Sequence, residues 1–284
     1  MKNEMIKLND TKNKIKSCLG LIEQVQQPAV QHQFNNHIIN MIDNGYSVLS
    51  LDTFKWTSHR NVLPRKVDHS STATVYIRGH IYQFGGHTSP KRYTRISLAD
   101  NKCHDANIVG VSGGSYISTC FDGDKYIYLV GGLGDIKRQK SVDRFNIDTL
   151  QFEHVGELLT PFTDGLHHHN NKLYLVESMV DGNNVTCIGY RIKTFDLLTR
   201  TNEILMEIKC TEYIESACFD GIDNFFVKTN EFHRVTLSSK LVTVLEQCPS
   251  FGNLMYDATA DGVIFSIGGK NKIIFIQFKI TNGH

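Results

Sequence analysis

Proline is scarce, at 5 of 284 residues, and glycine numbers only 22, which excludes a long low-complexity or linker-like tract. Cysteine pairs at metal-binding spacing are missing. The 7 cysteines (Cys18, Cys103, Cys120, Cys187, Cys210, Cys218 and Cys248) are odd in number, widely spaced and include no C-x-x-C, which fits neither a disulfide framework nor a zinc motif. Charge of one sign is lacking as well. Thirty Lys and Arg stand against 29 Asp and Glu, so total charge does not point to nucleic acid, and any electrostatic function must come from local patches. No stretch approaches the roughly 18 apolar residues of a membrane helix, so no membrane span is expected. Met1 to Asp10 carry several charges and no apolar run, so no signal peptide is expected and a reducing, cytoplasmic location follows as the default. Against these absences, 40% hydrophobic residues are enough for a substantial core.

The start of the chain has helical period. Met5, Leu8, Ile15, Leu19 and Ile22 recur at alternating three- and four-residue steps, with Lys12 in the one polar seam position. Pro28 ends the pattern, because it lacks an N–H and clashes with the preceding turn. Residues 1–27 are therefore expected to form an amphipathic helix. It would associate with a second copy through residues 5–26 or form the tail of a longer coiled coil; a frayed helix is the alternative.

From residue 28 to 284 the period becomes that of strands, and a repeat emerges. Tyr126-Ile127-Tyr128-Leu129-Val130 precedes Gly131-Gly132; Ile81-Tyr82-Gln83-Phe84 precedes Gly85-Gly86; Val263-Ile264-Phe265-Ser266-Ile267 precedes Gly268-Gly269. Copies without the glycines occur around Tyr174 and Phe225, and a weaker one around Ile39. The anchors Ile39, Tyr82, Tyr128, Tyr174, Phe225 and Phe265 stand 43, 46, 46, 51 and 40 residues apart. Asp122-Gly123, Asn170-Asn171, Asp220-Gly221 and Asp261-Gly262 supply the positive φ of tight hairpin turns before most copies. Two more strands follow each apolar segment, as in Ser141–Thr149 and Gln151–Val155. The unit is thus four antiparallel strands over about 43 residues, repeated about six times, with five as the alternative count. An all-β propeller is expected.

These residues resemble the kelch repeat, in which a Gly-Gly pair follows the second strand and an aromatic in the third strand precedes a tryptophan opening the fourth. Gly131-Gly132, Phe145 and Phe152 fill those roles in one copy, and Gly85-Gly86, Ile96 and Cys103 in another. Trp56, the only tryptophan, stands seven residues after Leu49 at the family's tryptophan position. The helical seam ahead of the array also resembles the layout of amoebal-type B-box, coiled-coil and kelch proteins, of which this chain would be the C-terminal part. It carries no B-box cysteines or histidines. The resemblance implies a kelch-type β-propeller that acts as a non-catalytic scaffold or adaptor for other proteins, with ubiquitin-ligase components or cytoskeletal proteins among the implied partners.

Some kelch-like propellers are enzymes, so a metal-dependent oxidase or a sugar epimerase is the alternative function. The sequence offers no Gly-rich phosphate loop and no Ser-His-Asp arrangement. His167-His168-His169 is the one metal-like run, with His167 and His169 on one face of an extended strand and His168 on the other. No carboxylate or cysteine nearby completes a ligand set, so His167 and His169 are weak metal candidates and packing or hydration is the plainer role. Cys120 and Cys218 occupy equivalent places, each in Cys-Phe-Asp-Gly, which points to blade packing. No cofactor is expected.

Loop charge is the better clue. In a propeller, the loops between second and third strands share one face with the connectors between blades. Lys91 and Arg92, then Lys137, Arg138 and Lys140, lie in such loops, while Arg60, Arg65, Lys66 and His69 lie in a connector. Glu157, Asp164, Glu212, Glu215 and Glu246 mark the later blades. A basic arc opposite a more acidic one is expected. The basic arc suits an acidic or phosphorylated protein segment, because Arg and Lys capture carboxylates and phosphates. Nucleic acid is a poorer fit, as the patch is small and aromatics are not interleaved with it.

Overall fold

Hairpin turns and alternating burial set the architecture. The computed structural model describes residues 37–42, 44–50, 52–53, 55–64, 73–134, 137–161, 164–182 and 186–245, and the backbone of strands 253–257, 263–267 and 278–279. Within them the chain is all β. The first sheet holds β1 (His37–Ile42), β2 (Gly45–Ser50) and β3 (Trp56–His59). The second holds β4 (Ala73–Ile77), β5 (His80–Phe84), β6 (Arg92–Ser97) and β7 (Cys103–Asn107). The third holds β8 (Ser118–Phe121), β9 (Tyr126–Val130), β10 (Ser141–Asn146) and β11 (Phe152–Glu157). The fourth holds β12 (Gly165–His169), β13 (Lys172–Val180), β14 (Cys187–Asp196) and β15 (Asn202–Ile208). The fifth holds β16 (Ser216–Phe219), β17 (Asn224–Lys228), β18 (Phe232–Thr236) and β19 (Leu241–Leu245). The sixth holds β20 (Asn253–Asp257), β21 (Val263–Ile267) and β22 (Phe278–Lys279).

Every sheet is an antiparallel meander, as the local turns dictate. The first strands of successive sheets, β4, β8, β12, β16 and β20, approach one another in chain order, which is the inner arc of a β-propeller. The repeat reaches the level of single bonds. Ser50, Ser97, Asn146 and Asp196 each donate their backbone N–H to the carbonyl five residues on, in the turn between the last two strands of their sheets. Leu98, Ile147, Leu197 and Leu237 each donate to the turn between first and second strands of their own sheet, at Gly79, Lys125, Asn171 and Asp223. The pairs Leu49–Trp56, Ile96–Cys103 and Phe145–Phe152 lie directly opposite one another across the last two strands of their sheets, as the repeat alignment requires. Trp56 is 38% exposed on the last strand of the first sheet.

The core is sandwiched between sheets. Phe84, Tyr93, Ile127, Leu129 and Phe145 fill the space between second and third sheets. Val130, Val142, Leu173, Leu175 and Phe195 fill the next. Val176, Tyr190, Ile192, Phe225 and Val235 fill the one after. Tyr46, Val48, Ile81 and Ile96 join the first sheet to the second. A single sheet cannot bury both faces, so stacking supplies the apolar burial, about 25 cal/mol per Å².

The Gly-Gly pairs have a local cause. Gly85 and Gly86 sit at φ 67° and 106°, and a Cβ on Gly85 would lie 1.8 Å from the Gly114 carbonyl oxygen. Gly131 and Gly132 sit at φ 66° and 93° in the next blade. The expected turn residues also take positive φ, at Gly123, Asn170, Asn171 and Gly221. The helix over residues 1–27, and Arg65, Lys66, His69 and Glu246, lie outside the described residues.

Candidate partner-binding face

Three successive sheets stitch the loop ahead of their last two strands to the connector that leaves the sheet. Val62 and Leu63 donate to the Asn44 carbonyl at 3.0 and 3.2 Å. Ile108 donates to the Lys91 carbonyl at 2.8 Å, and Gly114 to Pro90 at 2.7 Å. Leu158 donates to the Lys140 carbonyl at 2.7 Å. Loops and connectors therefore share one end of the propeller, and backbone bonds fix them to each other.

On that end Arg60, Lys91, Lys137, Arg138 and Lys140 are exposed. Arg92 is different. It forms an ion pair with Asp105 at 2.5 Å and reaches Asn107 at 3.3 Å, so it ties β6 to β7 rather than standing open to a ligand. Asp164 belongs to the connector after the third blade. Burial holds its carboxyl above the usual range, while the charge of Arg138 works in the opposite direction. The same connectors carry side chains that sequence reasoning passed over: Val109, Tyr116, Leu159 and Tyr213 are about half exposed or more. Tyr116 also receives the edge of His87, whose Nε2 lies 3.0 Å from its hydroxyl. An apolar residue in a connector has no periodicity, so only the folded arrangement shows that these four share an end.

Behind the face lie buried polar pairs that the sequence reading also missed. Lys193 and Glu177 form an ion pair with both side chains almost fully buried, and Lys193 Nζ donates to Thr160 Oγ1 at 2.5 Å. Burial pushes the Lys193 ammonium below its ordinary value, against the pull of Glu177. Arg191 reaches Glu177 and Glu207, each at 3.3 Å. Asp143 is buried beside His154 Nδ1 at 2.8 Å, and burial raises its carboxyl. The signal was present: a Glu and a Lys stand within the apolar strands β13 and β14. Such charges are costly to bury unless paired, and these pairs pin strands within one blade or to its connector.

The histidine run resolves by strand alternation. His167 and His169 face Phe219 of the next sheet, while His168 stacks on Tyr128 of the previous one. His167 hydrogen-bonds the Ala217 carbonyl and leaves Nε2 without a partner; burial lowers its pKa to about 4. Among the described residues no group of three or more His, Cys, Asp or Glu is placed to hold a metal ion. Cys120 and Cys218 are both buried, as their equivalent positions suggest, and burial pushes the Cys218 thiol up to about 12. Among the described residues no helix is long and apolar enough to cross a membrane.

No family model matches the sequence. The chain is 23% identical over 193 residues to a RING finger domain and kelch repeat-containing protein of Dictyostelium discoideum. That match covers 66% of this chain and 18% of the relative. The chain is thus a β-propeller, and its Gly-Gly turns and paired strand positions are similar to those of kelch-repeat proteins.

Proposed function

We propose that the protein is a non-catalytic interaction scaffold whose connector face binds an acidic or phosphorylated segment of another protein. The observation that carries this reading is the repeated stitching of loop to connector, which groups Lys91, Lys137, Arg138 and Lys140 with Val109, Tyr116 and Leu159 on two neighbouring blades. Cations would supply attraction and orientation for carboxylates or phosphates, and the half-exposed apolar side chains would supply desolvated anchors. The similarity to a kelch repeat-containing protein supports the scaffold class. Arg65 and Lys66 are proposed to extend the basic arc. Among the described residues no cluster of metal-ligating side chains supports the oxidase alternative. A reducing, cytoplasmic setting suits the free thiols of Cys103, Cys120, Cys187, Cys210 and Cys218.

The test is fluorescence anisotropy with labelled glutamate-rich and phosphoserine peptides that contain leucine or phenylalanine, alongside heparin as a generic polyanion. The variant Lys91→Glu/Lys137→Glu/Lys140→Glu leaves the Arg92–Asp105 pair intact. A loss of at least about tenfold in peptide affinity is expected, each exposed contact contributing under about 1 kcal/mol. Binding that survives the triple charge reversal, or heparin binding with no peptide binding, overturns the reading.

A further inference from the structure

Two of the described cysteines stand together. Cys187 opens β14, and Cys210 lies just past the end of β15. Their Sγ atoms donate to the same acceptor, the Glu212 carbonyl oxygen, at 3.1 and 3.3 Å. The two thiols lie close enough that Cys187 helps to raise the Cys210 thiol above its ordinary value, after burial, the larger cause. The backbone produces this placement. β13 and β14 pair Met179 with Gly189 but Val180 with Cys187, so Ile188 is the extra residue of a bulge. Ile188 turns outward, 51% exposed, and Cys187 turns inward, 2% exposed. A Cβ on Gly189 would lie 2.3 Å from the Ile208 carbonyl oxygen, so glycine lets the two strands close up beside the cysteines. The β14–β15 ladder ends at Tyr190 with Ile208, so the cysteines stand just beyond it and are brought together by the shared Glu212 carbonyl rather than by strand pairing.

We propose that Cys187 and Cys210 are a redox-responsive dithiol, which a peroxide-class oxidant closes to a disulfide that clamps β14 to the connector bearing Glu212 and Tyr213. Cys210 is the more exposed of the two and reacts first. Its thiolate attacks one oxygen of hydrogen peroxide; an S–O bond forms, the O–O bond breaks, and the departing hydroxide takes up a proton to become water. Cys187 Sγ then attacks the sulfenic sulfur. The S–S bond forms, the S–O bond breaks, and a second water leaves with the Cys187 proton. The two sulfurs together lose two electrons and the peroxide gains them. Burial raises the Cys210 thiol above its ordinary value, so closure is slow at neutral pH and quickens as pH rises. Closure strips both thiol donors from the Glu212 carbonyl. Tyr213, 49% exposed on the same connector, moves with it. The regulatory half of this proposal rests on the reading of that end as the partner face; the chemistry does not.

The experiment exposes the full chain to hydrogen peroxide, alkylates the remaining thiols and maps peptides by mass spectrometry without reduction. A Cys187–Cys210 linked pair, lighter by two hydrogens and reopened by a thiol reductant, is expected, with Cys120 and Cys218 alkylated only after denaturation. In Cys187→Ser the resolving thiol is gone, so Cys210 stops at a sulfenic acid that dimedone traps. Two results overturn the dithiol. One is sulfinic acid at Cys210 with Cys187 still reduced. The other is linkage of Cys210 to several cysteines alike. A linked pair that leaves acidic-peptide affinity unchanged, in protein whose binding is abolished by the triple charge reversal, overturns the regulatory half alone. Absence of peptide binding with the disulfide formed overturns the partner-face reading and leaves the dithiol standing.

Discussion

His167 shows what one residue contributes through its environment. It lies between the fourth and fifth sheets, bonded to the Ala217 carbonyl and edge-on to Phe225. Burial lowers its pKa from 6.5 to about 4. The unfolded chain therefore takes up this proton first as pH falls. The stability that neutral His167 contributes is full above pH 6.5 and is lost progressively toward pH 4, up to about 3 kcal/mol from this group. His167→Asn keeps an amide donor near the position of Nδ1 and does not titrate. Urea midpoints measured from pH 7.5 to 4.5 should fall less steeply in that variant than in the wild type. Parallel curves would mean that His167 does not couple protonation to folding. The neighbouring histidines were legible as alternating in direction from the sequence; which aromatic each would meet was not, because those partners come from other sheets.

At the scale of elements, the turns and the Gly-Gly pairs explain why the repeat persists while most of its side chains vary. Gly85 combines positive φ with a close approach to the Gly114 carbonyl, so a methyl group there must displace backbone on both sides. Gly85→Ala should destabilise the protein by about 2–4 kcal/mol, combining αL strain with a backbone clash. Gly79→Ala faces open space in its turn and should cost only about 1 kcal/mol from φ alone. Thermal melts of both variants give the comparison, and equal losses would remove close approach as the reason for the pair. Strand order, turn positions and the pairing of Phe145 with Phe152 were readable from spacing. The exposure of Trp56 and the pinning of Arg92 by Asp105 were not, since both depend on what lies across a sheet or beyond its edge.

For the whole molecule, the described sheets follow one another along an arc, each supplying half of the apolar layer it shares with the next. We propose that residues 5–26 add self-association to this body, which would raise avidity for a repeated partner without new contacts on the face. Light scattering of the full chain against residues 28–284 measures it: a higher mass for the full chain is expected, and equal monomer masses at all concentrations would end the proposal.

Composition, period and turn residues alone determined an all-β array of four-stranded units, because strand alternation and positive-φ turns are local properties of the chain. The sequence also placed Cys120 and Cys218 in equivalent buried positions and the basic residues in loops that share one end. Only the tertiary structure decided that Arg92 is tied to Asp105, that Lys193 and Glu177 are buried together, and that Cys187 and Cys210 share one carbonyl. These are relations between segments joined by stacking and by a bulge, and neither stacking partner nor bulge leaves a period in the sequence.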